Sequence, residues 1–242
     1  MILLIDSGNT RLKWATFQNG KLEHRHALNN QELTIDKLID AWKNLPIPKQ
    51  LAIASVSSTP LLDIVQTVAT RLWTSITIIQ VKSESHAFGV HNAYLQPEKL
   101  GVDRWLALIA AHHYYKKAAC IIDCGTAITI DFIDAHGKHE GGMISPGLTL
   151  MKKSLATNTD LLAFDEASYD IGPANFTAAA IYNGTLSAAT GLIEHVLSKK
   201  ESTLTVILTG GDADIIAKQL PFKVLIDFNL VLCGLAVVSS KL

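Results

Sequence analysis

Charge is scarce in this chain and balanced where it occurs. Lys and Arg number 21 and Asp and Glu 22, together only 18% of 242 residues. With a net charge of −1 and no basic block, the electrostatic footprint of a nucleic-acid binder is missing. Long apolar runs are missing as well, since none approaches the ~20 residues of a membrane span. Ile2 to Ile5 is too short for a signal-peptide core, and no basic segment or cleavage pattern accompanies it. Cysteine is limited to Cys120, Cys124 and Cys233, an odd number in a chain large enough to need no staples. A reduced, cytoplasmic setting is expected. Cys120 and Cys124 have no second ligand pair nearby. His112, His113, His136 and His139 show no metal-ligand spacing, and the last two are expected on an exposed turn. Neither Gly-x-x-x-x-Gly-Lys-Ser/Thr nor Gly-x-Gly-x-x-Gly occurs, which removes the P-loop and the dinucleotide fingerprint.

What is present is apolar residue, 48% of the chain, enough for a sizeable core. The first ten residues run as a greasy strand into Asp6, followed by Ser7, Gly8, Asn9 and Thr10. An acid at the end of a buried strand is costly unless something uses it. The turn offers backbone N–H groups, an amide and a hydroxyl that suit phosphate oxygens. An ordinary hairpin, with Asp6 bonding its own turn, explains it equally well in isolation. The same stretch recurs 117 residues later. Ile5 matches Ile122, Asp6 matches Asp123, Gly8 matches Gly125, and Gly20-Lys21 matches Gly137-Lys138. A repeat of this kind implies two like halves. They are expected over 1–116 and 117–242, divided at Lys116-Lys117.

The first half reads as β-β-β-α-β-α-β. Asn29 to Leu45 has helical spacing, with Asn29 or Asn30 as cap, and Pro60 opens the next helix. Ser83 to Leu100 is irregular and long enough to carry function, and a helix starts near Asp103. The second half repeats the hairpin and continues with a strand near Gly142 to Ile144 and a helix from Ser145-Pro146-Gly147. An irregular stretch from Asn158 to Asn175 and a long helix from Phe176 to Ser198 follow. A strand over Thr203 to Leu208 comes next, then a short helix, Val224-Leu-Ile and a last helix from Asn229. Two α/β halves facing each other would form a cleft lined by both acid-glycine turns, a geometry suited to a nucleoside triphosphate. Asp123, Thr126, Thr129 and Asp131 supply hard oxygens that suit Mg²⁺ or K⁺. Asp103 and Arg104 sit at a helix start. They read either as a cap beside a solvated arginine, or as a proton-accepting carboxylate beside an anion-holding guanidinium.

Taken together, five motifs resemble the type III pantothenate kinases, of the acetate and sugar kinase, Hsp70 and actin superfamily. They are Asp6 to Thr10 with Lys13, Gly101 to Arg104, Asp123 to Asp131, Thr177 to Gly184, and Thr209 to Asp212. The resemblance implies duplicated ribonuclease H-like, actin-like ATPase domains facing each other across a nucleotide cleft. It implies ATP-dependent phosphorylation of pantothenate, the first step toward coenzyme A. Carried over by position, Asp6, Ser7, Gly8, Asn9, Thr10, Arg11, Leu12 and Lys13 would bind ATP, with Thr126 from the second turn. Asp123 would hold a monovalent cation, K⁺ or ammonium, and Mg²⁺ would accompany the nucleotide. Asp103 would accept the proton. Tyr94, seven residues before Gly101, would bind pantothenate with Gly101, Val102, Asp103, Arg104 and Thr177. A homodimer completing the pocket across its interface is implied, with no nucleic-acid or membrane partner. Ser55 to Thr59 is generic and takes no role. The family also includes Bvg accessory factors linked to transcription, so a nucleotide-dependent regulator is the alternative. A kinase for another small hydroxyl compound is the third reading.

Overall fold

A computed structural model of the chain describes residues 1–157, 162, 165–200 and 204–241. It separates into two compact units. The first holds 1–116, 136–139 and 229–242, and the second 117–135 and 140–228.

The first unit opens with β1 (Ile2–Ser7), β2 (Arg11–Gln18) and β3 (Lys21–Asn29), then α1 (Ile35–Trp42), β4 (Gln50–Ser55), α2 (Thr59–Leu72) and β5 (Thr77–Gln80). Its sheet runs β3-β2-β1-β4-β5. β1 pairs antiparallel with β2 and parallel with β4, so it is central and buried on both faces, which is why it reads as an unbroken apolar run. α1 is shorter than its spacing suggested. Asn29 caps a separate 3₁₀ turn over Asn30–Glu32, and Thr34 caps the helix by accepting the Lys37 N–H. Pro60 stands in the first turn of α2, where its missing N–H costs nothing. The core between sheet and helices holds Trp14, Trp42 and Trp73. Trp42 stacks on Trp73 at 5.9 Å and meets Trp14 edge-on at 6.1 Å. Truncating a buried tryptophan such as Trp42 costs about 3–5 kcal/mol.

The irregular stretch 83–100 carries a two-residue hairpin, β6 (His86–Ala87) with β7 (Val90–His91), and a 3₁₀ turn at Pro97–Lys99. It leads into α3 (Val102–Tyr115).

The second unit holds β8 (Ala119–Cys124), β9 (Ala127–Ile133), β10 (His139–Pro146, from its second residue on), α4 (Leu148–Thr157), α5 (Thr177–Leu197), β11 (Thr205–Thr209), α6 (Ala213–Ala217) and β12 (Leu225–Ile226). Its sheet runs β10-β9-β8-β11-β12, the same topology as the first. Of the irregular stretch expected over 158–175, residues 158–161, 163 and 164 lie outside the described residues, as does Thr203. α7 (Leu230–Ser239) closes the described chain.

The units are not the simple halves 1–116 and 117–242. α7 is apolar on nearly every face and belongs to the first unit, where it packs on α3. Gly234 permits the approach, because a Cβ there would collide with the Leu106 carbonyl. Among the described residues, no helix is long and apolar enough to cross a membrane.

Candidate active site

In the first unit, β1 delivers Asp6 and Ser7 to its C-terminal end. Asp6 is 7% exposed and faces Lys13 across the ladder, with Lys13 Nζ 3.9 Å from its carboxylate. Gly8 N–H closes the turn onto the Arg11 carbonyl (3.1 Å). Asn30 fastens the turn from behind, its side-chain amide donating to the Gly8 carbonyl (2.8 Å) and its backbone N–H to that of Thr10 (2.8 Å). Ser7 Oγ shares a hydrogen bond with Ser57 Oγ (2.6 Å), which shares another with Ser55 Oγ (3.1 Å). This hydroxyl cluster lies where the parallel strands β1 and β4 end and α2 begins, a place where α/β sheets receive ligands and helix N-termini favour anions. Sequence reasoning passed over Ser55 and Ser57. The available signal was a buried strand running into a serine-rich turn.

The second unit repeats the device with one residue fewer. β1 and β8 begin at Ile2 and Ala119, whereas β2 and β9 begin at Arg11 and Ala127. The Gly125 N–H accordingly reaches the Ala127 carbonyl (3.1 Å), two residues on rather than three. Asp123 pairs with Thr129 on one side and Thr209 on the other. Gly210, at φ +92°, lies directly against the Asp123 carboxylate, where a Cβ would collide with it. Gly147 N–H donates to the Thr126 carbonyl (2.9 Å), which seats the start of α4 on the turn. Thr126 itself is exposed, and Asp131 is buried. Burial, with the charge of Asp131 added, pushes the Cys120 thiol up to about 12. Burial also raises Cys124, with Asp123 and Asp212 adding to the effect. Both are inert apolar packing, as small core residues should be.

Tyr94, Asp103 and Arg104 come together in the first unit. Gly101, not Asp103, is the N-cap of α3, so Asp103 stands in the first helical turn. Its Oδ1 accepts the Arg104 N–H (2.8 Å) and would lie 2.5 Å from a Cβ on Gly101, so a larger residue there would push the carboxylate out of this position. Arg104 is 6% exposed, which removes the solvated-face reading. Its Nη1 donates to Tyr94 Oη (2.7 Å), and the guanidinium carbon lies 5.5 Å from the Tyr94 ring centre. Val102 is buried beneath. Asn92 holds the loop that carries Tyr94. Its side-chain amide donates to the carbonyls of Glu84 and Pro97 (both 3.1 Å), and its Oδ1 accepts the Tyr94 N–H (3.0 Å). Sequence reasoning missed Asn92, although an asparagine two residues before a site tyrosine is an Asx-turn signal. It also misplaced His139, which is 1% exposed rather than on an exposed turn.

Thr177 opens α5 in the second unit and is exposed. It lines a groove of about 820 Å³ with Met151, Leu155, Phe176, Ala180 and Gly184. The alanine run divides there, with Ala179 buried and Ala180 on the groove.

The family model for type III pantothenate kinase matches residues 2–199. A relative named type III pantothenate kinase from Nitrosococcus oceani is 37% identical, over 99% of this chain and 94% of its own. One of the same name from Laribacter hongkongensis is 38% identical, over 98% and 97%. Among solved structures, a Campylobacter jejuni protein described as a Baf-family transcriptional activator superposes with a TM-score of 0.63 at 23% identity. It covers 99% of this chain and is itself wholly covered, a likeness that speaks to fold. The duplicated sheets, the two acid-glycine turns and these matches agree, and the chain belongs to the type III pantothenate kinase family.

Proposed function

We propose that the chain phosphorylates the hydroxyl of pantothenate with ATP, and that Asp103 is the proton acceptor. The observation that carries this is the Tyr94–Arg104–Asp103 cluster: a half-buried carboxylate fixed at a helix start beside a buried guanidinium. Phosphoryl transfer leaves the protein little covalent work, so positioning and charge neutralisation dominate. Asp103 orients the hydroxyl and takes its proton as the bond to phosphorus forms. Arg104, Tyr94, Gly101 and Val102, with Thr177, bind pantothenate, and the guanidinium balances its carboxylate.

In this reading Asp6 through Lys13 and Thr126 bind the ATP phosphates. Among the described residues no group of three or more His, Cys, Asp or Glu is gathered as a metal centre. That suits Mg²⁺, which leans on one or two carboxylates plus phosphate and water oxygens. Asp6 is the carboxylate available to it in the first turn, and the ion would neutralise phosphate charge. Asp123, between Gly125 and Gly210, fits a monovalent cation, K⁺ or ammonium, with the same hard-oxygen character. A homodimer is part of the proposal, supported by the exposed apolar groove around Thr177 and Phe176. A cytoplasmic setting is supported by cysteines that form no disulfide among the described residues.

The deciding assay offers pantothenate, then a panel of other small hydroxyl compounds, with ATP. Asp103→Asn should bind both substrates and keep its melting temperature while kcat falls about 10²- to 10⁴-fold. Normal turnover by that variant overturns the base assignment. Preference for another compound overturns the substrate.

A further inference from the structure

We propose that His139 is a positioning residue for the pantothenate site, acting through Tyr94. The inference rests on the reading that Tyr94 and Arg104 bind pantothenate, and adds the device that holds them. His139 lies 45 positions beyond Tyr94, yet residues 136–139 belong to the first unit. Its Nδ1 accepts the Ala93 N–H (3.3 Å), and its ring stacks on Tyr94 with centroids 6.2 Å apart and planes 16° apart. One imidazole therefore fixes both the backbone just before Tyr94 and the plane of the Tyr94 ring. The Tyr94 hydroxyl in turn accepts from Arg104, whose N–H donates to Asp103.

The backbone around His139 is anchored to the same loop. His91 N–H donates to the Gly137 carbonyl (2.9 Å), and His91 bridges Lys138 as a parallel pair. Gly137 (φ +84°) and Gly89 (φ +81°) lie back to back, and a Cβ on Gly137 would collide with the Gly89 carbonyl. Two glycines, each in a conformation other residues resist, thus bring the segment close enough for His139 to reach Ala93 and Tyr94. Few side chains offer both a flat ring for the tyrosine and an acceptor for the amide. Phenylalanine keeps only the ring, and asparagine only the acceptor. Site residues need such support, because a displacement near 1 Å can cost about 10²-fold.

The test compares His139→Phe, His139→Asn and His139→Ala in steady-state kinetics with pantothenate and ATP varied separately. Each variant is checked by melting temperature. The expected result is a pantothenate KM raised about 10-fold or more in His139→Ala and less in the other two. The KM for ATP should stay within about twofold. Tyr94→Phe, which keeps the ring and deletes the hydroxyl acceptor, should raise the same KM. In Tyr94→Ala the further effect of His139→Ala should disappear. If His139→Ala does not fold, the Phe and Asn variants decide. Folded variants with an unchanged pantothenate KM overturn the role of His139, as do equal losses in both KM values and kcat. If Tyr94→Phe and the His139 variants all leave that KM unmoved, the reading of the substrate site itself falls.

Discussion

Asp6 and Asp123 share a position in the repeat but not their surroundings. Asp6 has Lys13 3.9 Å away. Asp123 instead has glycine backbone on two sides, with Gly210 against its carboxylate and Gly125 close by. Lys13 brings positive charge beside Asp6 that suits phosphate oxygens, whereas the glycines allow close approach to Asp123, which the proposal gives to the monovalent cation. Activity measured in buffer strictly free of K⁺ and ammonium should therefore be low and should return on adding either ion. Asp123→Asn should lose that response while ATP still binds. Full activity without either cation would remove the role of Asp123. The sequence showed both aspartates because a buried strand ending in an acid is rare enough to notice. It hid Ser57, Asn92 and His139, whose roles depend on what a distant segment places beside them. A histidine in a polar turn looks the same in sequence whether it is exposed or, as here, buried under a tyrosine.

At the scale of elements, the central strands were legible because burial on both faces forces an unbroken apolar run. Helix starts were less so. Asn29, Asn30 and Thr34 all have capping chemistry, and the difference between a 3₁₀ turn and the helix proper lies in backbone geometry. The α3–α7 pair shows another limit. The composition of α7 says that it is buried but not against what. Its fit depends on Gly234 meeting the backbone of Leu106. Gly234→Ala gains helix propensity, yet it places a methyl group where no flexible side chain can yield. A net destabilisation of about 1–3 kcal/mol is expected from overpacking, read by urea denaturation. Gly191, on α5 with open space around its missing Cβ, is the control, where alanine should be neutral or mildly stabilising.

Across the whole molecule, duplication is plain in the two sheets of identical order. The sequence carried it through a few identities at one offset, since topology is kept by hydrophobic pattern while individual residues drift. The unit boundary was legible only where composition shifts. The return of residues 229–242 to the first unit is invisible locally, because it concerns a partner more than a hundred residues away. Removing residues 229–242 should uncover the apolar faces of α3 and the first sheet. The truncated chain should aggregate or bind a hydrophobic dye, with the first unit losing hydrogen-exchange protection before the second. Equal protection in both chains would show that α7 is dispensable.

The placement of α7 also bears on the order of events at the ribosome. Domains generally fold as they emerge, N-terminal portion first. Here the first unit receives its sheet early and waits for Leu230, Val231 and Leu235 to complete its core. The second unit, whose segments lie within 117–228, has left the exit tunnel by then. The portion synthesised first is thus completed last. During that interval the nascent chain carries an open apolar face on α3, a natural landing place for a chaperone.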